Sequence, residues 1–311
     1  MKVLITGSCG YIGAILSAQM IEQGHQVFGC DNNLEGKDVP VMLRRFRVSF
    51  EDDFVIRQIL LYKIDVIVHL AATSTVGPDA LDPLQYYDNN TAKTISFIHK
   101  LATAGWKGQL VFASTAAVYG KFDRPVNEKD TLSPSSVYGH SKLLCERVLN
   151  HASRYDIKTT VFRFFNVAGA YNDLGEEEND THLLSKICYH AAHNQELTVY
   201  GDDYPTRDGT CIRDYVHVGD VCAAIVWALE QERGGVYNLG TERGLSVKEM
   251  IEQFEMHTGI TVKWTVGPRR QGDTPYLVAD PSLFNRMSGF TYKYTVRDII
   301  NSSWEYYKNG F

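Results

Sequence analysis

Lys2-Val3-Leu4-Ile5-Thr6-Gly7-Ser8-Cys9-Gly10-Tyr11-Ile12-Gly13 opens the chain and decides its fold. The residues before Gly7 form a short apolar strand, and a helical pattern covers 14–23. Strand, glycine turn and helix in that order are the context a dinucleotide-binding turn requires. Gly7 permits the tight turn, Gly10 lets backbone approach a pyrophosphate, and Gly13 lets the helix pack close to the strand. The free N–H groups and positive dipole end of the helix suit phosphates. A second strand, Gln26-Val27-Phe28-Gly29-Cys30, ends in Asp31. Asp31 falls about 20 residues past the glycines, where an acid meets a ribose 2′-hydroxyl. A carboxylate there repels a 2′-phosphate, so the expected dinucleotide is NAD and not NADP.

Outward from that turn, strands alternate with helices. Segments 65–70, 109–113 and 159–164 read as buried parallel strands, with helical stretches near 53–62, 84–104 and 137–154. Such alternation predicts a doubly wound α/β sheet. Beyond Asn166 the pattern becomes irregular: a polar loop at 175–180, a helix over 183–193, then short strands. We expect a dinucleotide-binding domain over 1–166, with a return segment near 218–239, and a smaller lobe over 167–311. The polar motifs fall at carboxyl ends of strands: Asp31 after the second, Ala71-Ala72-Thr73 after the fourth, Ser114-Thr115 after the fifth, Asn166 after the sixth. Open α/β sheets bind ligands there.

Tyr138 and Lys142 lie in Ser135-Ser136-Val137-Tyr138-Gly139-His140-Ser141-Lys142, one helical turn apart on one face. A free tyrosine titrates near ~10. A neighbouring ammonium lowers that value and makes the phenol a proton acceptor and donor near neutral pH. Such a pair recurs by chance; its place among the converging loops makes it a catalytic candidate. A Ser114 or Thr115 hydroxyl can share the moving proton.

The 311 residues carry a net charge of −6. That balance argues against a nucleic-acid partner, which favours a basic face. No apolar run reaches membrane length, and the chain starts with a strand instead of a signal peptide. The six cysteines form no C-x-x-C, so reduced thiols in a cytoplasmic protein are expected. His190 and His193 lie three apart without a third ligand, so no metal is expected. Glu176 to Glu178 reads as solvated loop charge.

Taken together, the chain resembles the extended short-chain dehydrogenase/reductase family, and within it the UDP-galactose (UDP-glucose) 4-epimerases. The resemblance rests on the glycine turn, Tyr86-Tyr87-Asp88-Asn89-Asn90, Ser114-Thr115-Ala116-Ala117-Val118-Tyr119-Gly120, the Tyr138/Lys142 pair and Arg163-Phe164-Phe165-Asn166. More particular to the epimerases is Asp203-Tyr204-Pro205-Thr206-Arg207-Asp208-Gly209-Thr210. Arg213-Asp214-Tyr215 and Arg269-Arg270-Gln271-Gly272-Asp273 complete the set.

The resemblance implies a mostly parallel Rossmann sheet with a smaller α/β substrate-binding lobe. It implies an NAD-dependent isomerase that inverts C4 of a UDP-hexose through a transient 4-keto sugar, working as a homodimer through helices near 88–104 and 140–154. The catalytic residues would be Thr115, with Ser114 beside it, Tyr138 and Lys142. NAD would be held by Gly7, Gly10, Tyr11, Ile12, Gly13, Asp31, Asn32, Ala71, Ala72 and Asn89, with Tyr138 and Lys142. The UDP-sugar would meet Thr115, Asn166, His182, Leu183, Tyr200, Arg213, Tyr215, Arg270, Asp273 and Leu277. Sugar-nucleotide 4,6-dehydratases and decarboxylases share the fold, but carry an acid where this chain has Ala116 and Ala117. A non-catalytic NAD-binding regulator commonly lacks the Tyr–Lys pair, which is intact here. Two departures imply loose NAD retention. Phe50 stands where the family has an acid facing adenine, with Glu51 and Asp52 next in line. Asp82 stands where the resemblance places a lysine near the phosphates. At Leu277 a smaller residue than tyrosine implies room for N-acetylated sugars, unless Tyr276 fills it.

Overall fold

The structure is a computed structural model and describes residues 1–33, 39, 42–74, 82–176, 182–231, 234–270 and 272–310. The strands are β1 Lys2–Thr6, β2 Gln26–Cys30, β3 Arg44–Phe46, β4 Val66–His69, β5 Gln109–Thr115, β6 Lys158–Phe164, β7 Asn166–Ala168, β8 Leu197–Tyr200, β9 Ile212–His217, β10 Gly235–Leu239, β11 Gly244–Ser246, β12 Trp264–Gly267 and β13 Tyr276–Leu277. The helices are α1 Tyr11–Glu22, α2 Asp53–Tyr62, α3 Pro83–Tyr86, α4 Lys93–Thr103, α5 Val137–Leu149, α6 Leu183–Ala192, α7 Val218–Glu230, α8 Val247–Thr258, α9 Ser282–Ser288 and α10 Val296–Gly310.

Seven strands form one sheet in the order β10-β6-β5-β4-β1-β2-β3, every neighbouring pair parallel. Helices cover both faces. Ile15, Leu16, Val221 and Ile225 pack on one side, and Ile59, Phe97, Leu101 and Leu110 on the other. Burial on both faces is why these strands read as continuous apolar runs. The strand order reverses between β1 and β4, which opens a ligand crevice at their carboxyl ends. Helix α7 packs against the sheet, and β10 extends it beyond β6. The smaller lobe centres on β9, which pairs with β7, β11 and β13. Beside it, β8 pairs with β12, and Ile187, Phe254 and Ile299 pack in that lobe's core.

Two helices differ from expectation. The stretch over 84–104 is interrupted by a π-helical turn, Tyr87–Ala92, between α3 and α4. That turn carries Asn90, whose Oδ1 accepts from Thr73 N at 2.8 Å and whose Nδ2 donates to Ser141 Oγ at 3.0 Å. It ties the loop after β4 to α5. The stretch over 137–154 ends as α5 at Leu149, and a separate short turn, Ala152–Tyr155, stops at Asp156 with φ 59°. Most of the polar loop read at 175–180 lies outside the described residues. Among the described residues, no helix is long and apolar enough to cross a membrane.

Candidate active site

One cleft of about 730 Å³ joins the glycine turn, the Tyr138 wall and the Arg213 end of the smaller lobe. A dinucleotide fits the first part on steric grounds. Gly7 has φ +73°, and a Cβ there would sit 2.8 Å from Ala71 N. A Cβ on Gly13 would strike Gly7 O at 2.0 Å, so α1 lies against the turn. At Gly10 a Cβ meets only Gly7 O at 3.4 Å. Protein packing therefore does not demand glycine at that position, whereas a phosphate approaching the backbone would. Gly10 caps α1 without a side chain over its first amides, which suits an anion. Asp31 accepts from Cys9 N and Asn33 N, both at 2.9 Å, and so braces the turn it faces. Tyr11 donates to Gly169 O at 2.5 Å and ties α1 to the chain beyond β7. Ile12, Asn32, Ala71, Ala72 and Asn89 line this same part.

The two departures expected to loosen NAD separate here. Phe50 lines the cleft, edge-on to His69 with ring centroids 4.6 Å apart. Glu51 accepts from Ser49 Oγ, and Asp52 caps α2 through Phe54 N at 2.7 Å. Neither lines the cleft, so no carboxylate replaces Phe50 by a shift of register. Asp82 is exposed and away from the cleft; it caps α3, accepting from Leu84 N at 2.9 Å. It initiates the helix ahead of Pro83, and the lysine that the resemblance places near the phosphates is missing at this position.

On the cleft wall Thr115 stands beside Tyr138, and a side-chain hydrogen bond between them favours the phenolate. Burial pushes the tyrosine up to about 12, only partly opposed by that bond. Lys142 is 2% exposed; its Nζ donates to Ala113 O at 2.8 Å and lies 4.7 Å from the Phe112 ring centroid. Burial lowers its pKa to about 8. The expected lowering of Tyr138 by Lys142 is therefore absent here: the amine is engaged elsewhere, and desolvation prevails. Ser114 also departs from expectation. Its hydroxyl donates to the buried Glu146, which pairs with Arg163 at 2.7 Å. Ser114 also lines the cleft, but Glu146 engages its hydroxyl, which leaves Thr115 as the hydroxyl partner of Tyr138.

At the far end, Arg213 and Arg270 share Asp273 at 3.6 Å and 3.5 Å. Two guanidiniums on one carboxylate keep a net positive charge suited to a diphosphate. Arg213 is further held by Thr274 O at 2.7 Å. Asn166, Leu183, Tyr215 and Leu277 line the space between. Tyr200 does not line it; its ring lies 5.4 Å from the Arg270 guanidinium and backs that residue. Tyr276 is also off the wall, since alternation along β13 turns it opposite to Leu277. His182 lines the cleft and bonds Glu176. Burial opposes a charged imidazole there, but the Glu176 charge and hydrogen bond outweigh it and raise its pKa. Glu176 is thus a member of the cleft and not a solvated loop charge. Sequence reading also passed over Lys93, which lines the cleft one turn after Asn89. The i,i+4 spacing that drew attention to Tyr138 and Lys142 was the available signal for it. Among the described residues no group of three or more His, Cys, Asp or Glu could hold a metal.

The model of the NAD dependent epimerase/dehydratase family matches residues 3–240. The chain belongs to that family. A UDP-glucose 4-epimerase of Lactobacillus helveticus is 38% identical, covering 99% of this chain and 98% of that protein. Among solved structures, the UDP-glucose-4-epimerase from Stenotrophomonas maltophila, with bound NAD and formylated UDP-arabinopyranose, superposes with a TM-score of 0.93. It is 34% identical and covers 99% of this chain and 98% of its own. The UDP-Glc/GlcNAc 4-epimerase from Campylobacter jejuni superposes with a TM-score of 0.83 at 34% identity, covering 99% of both chains.

Proposed function

We propose that this family member catalyses NAD-dependent 4-epimerisation of a UDP-hexose, with UDP-glucose and UDP-galactose as the substrate pair. The observation that carries the reading is the single cleft joining the glycine turn and Asp31 to Tyr138–Thr115 and to the Arg213–Asp273–Arg270 cluster. Relatives of this fold hold NAD and a UDP-sugar together. NAD supplies reversible hydride acceptance at C4. Tyr138 takes the 4-hydroxyl proton, and Thr115 orients it through their hydrogen bond. Ionising a buried phenol needs a positive charge brought near; Lys142, one turn away, supplies it on leaving the Ala113 carbonyl. Arg213 and Arg270 hold the diphosphate while the 4-keto sugar turns over. Return of the hydride to the other face of C4, with return of the proton to O4 by Tyr138, would invert that centre. Ala117 lines the cleft next to Thr115, so the acid a 4,6-dehydratase or decarboxylase needs there is missing. Incubation with UDP-glucose should yield UDP-galactose; no interconversion by NAD-loaded protein would refute the assignment.

The sugar end sets the substrate range. Leu277 lines the cleft, and Tyr276 does not fill the space beside it. A relative of this fold is a UDP-Glc/GlcNAc 4-epimerase, so a dual range lies within the fold's reach. UDP-N-acetylglucosamine should be epimerised as well as UDP-glucose. Leu277→Tyr should suppress the N-acetyl reaction by about ten-fold, the scale of an overfilled packed site, and spare UDP-glucose. Wild-type protein that turns over UDP-glucose but not its N-acetyl counterpart would contradict this.

The division into an NAD-binding unit over 1–166 with 218–239 and a UDP-sugar lobe over 167–311 fits this arrangement, as does a cytoplasmic setting for six buried free thiols. A homodimer through α4 and α5 would cover Ile95 and Leu144, exposed at 42% and 38%. Sedimentation at twice the monomer mass would support it.

A further inference from the structure

A bound dinucleotide brings two phosphate charges into the part of the cleft that already holds the Asp31 carboxylate. The α1 N-terminus offsets them only in part, since a helix end is worth about half an elementary charge. Arg213 and Arg270 stand at the other end beside Asp273, and Lys142 is turned to the Ala113 carbonyl. A short run of contacts leads from the glycine turn to another cation. Gly7 abuts Ala71. Two residues on, Thr73 Oγ1 accepts from Asn89 Nδ2 at 3.3 Å. Asn89 Oδ1 in turn accepts from Lys93 Nζ at 2.7 Å. Lys93 lines the cleft with a side chain 27% exposed. Its pair with Asp88 is long, at 3.8 Å, and that carboxylate is 66% exposed, so the pair holds the ammonium weakly. A lysine ammonium is a mobile point charge with three donors. The π-helical turn that ends just before Lys93 is a distortion often met at functional sites.

We propose that Lys93 is the cation this cleft sets against the pyrophosphate of the bound dinucleotide. The proposal rests on the NAD reading above and adds a residue to it. Calorimetric titration of the full-length chain with NAD, ADP-ribose, adenosine and UDP tests it in wild type, Lys93→Met and Lys93→Arg. Lys93→Met should weaken NAD and ADP-ribose by about ten-fold or more, the scale of one charge-assisted hydrogen bond. Adenosine and UDP should bind as in wild type, and Lys93→Arg should restore most of the loss. The salt dependence of NAD binding should be shallower in Lys93→Met. The loss should persist in an Asn89→Ala background; its disappearance there would mean that Lys93 only orients Asn89, and would overturn the proposal. Equal loss of UDP and adenosine would do the same by revealing a general structural defect. If wild type binds NAD and Lys93→Met matches it, the role of Lys93 fails alone. If wild type does not bind NAD, both readings fail.

Discussion

Replacing Tyr138 with phenylalanine should cut turnover by ~10² or more, the scale of lost acid–base catalysis, and leave folding and UDP binding intact. The change removes one hydroxyl whose partner is Thr115, and it keeps the ring that fills the cleft wall. Arg213, Arg270 and Asp273, which would hold the UDP part, lie at the other end of the cleft and are untouched. Because the two hydroxyls act on one proton, their losses should not add. Thr115→Val on top of Tyr138→Phe should cost far less than Thr115→Val alone. Ser114→Ala should be nearly silent in turnover, since that hydroxyl serves Glu146. Steady-state rates for the four variants decide the matter; near-normal turnover of Tyr138→Phe would remove the tyrosine from the mechanism.

The sheet was legible because its strands are buried on both faces and end in glycine or polar turns, so apolar runs and punctuation coincide. The glycine turn was legible for a harder reason: Gly7 and Gly13 meet backbone at distances no Cβ tolerates. The break at Tyr87–Ala92 was not, since a π-helical turn inside a helix leaves the apolar pattern nearly unchanged. Asp82 and Tyr200 stand out in the sequence by their position in a motif, and position does not say which way a side chain points. Asp82 caps a helix and Tyr200 backs an arginine. Strand alternation did contain the distinction between Tyr276 and Leu277, once the register was fixed, whereas Ser114 and Thr115 both line the cleft and differ in the partner each hydroxyl finds. The tyrosine pKa was not accessible from spacing at all. An i,i+4 separation brings Lys142 near Tyr138, but the Ala113 carbonyl and the Phe112 face decide where the ammonium rests.

Behind the catalytic wall, the most sensitive position for stability should be Glu146. It is 4% exposed and Arg163 is 3% exposed. Arg163 donates Nε to Oε1 at 3.1 Å and Nη2 to Oε2 at 2.7 Å, a two-pronged pair. Arg163 Nη1 also donates to Tyr119 Oη at 2.9 Å, and Tyr119 donates to Asn238 Oδ1 at 2.5 Å. The network therefore joins α5, β6 and β10 with the turn after β5. Removing one member strands a buried charge, whereas replacing both with apolar groups removes the desolvation penalty as well. Glu146→Ala should thus destabilise the fold by about 3–5 kcal/mol, read as a lower urea midpoint. Glu146→Leu combined with Arg163→Met should recover most of that loss, because the volume stays filled and no ion is left unpaired. Turnover should separate the two variants differently from stability. Both release Ser114 from its acceptor, yet Thr115 and Tyr138 keep each other as partners, so the double variant should retain much of its activity below its melting range. If Glu146→Ala unfolds at the wild-type urea concentration, the pair carries no net stabilisation, and its place behind β5 needs a reason other than holding the fold.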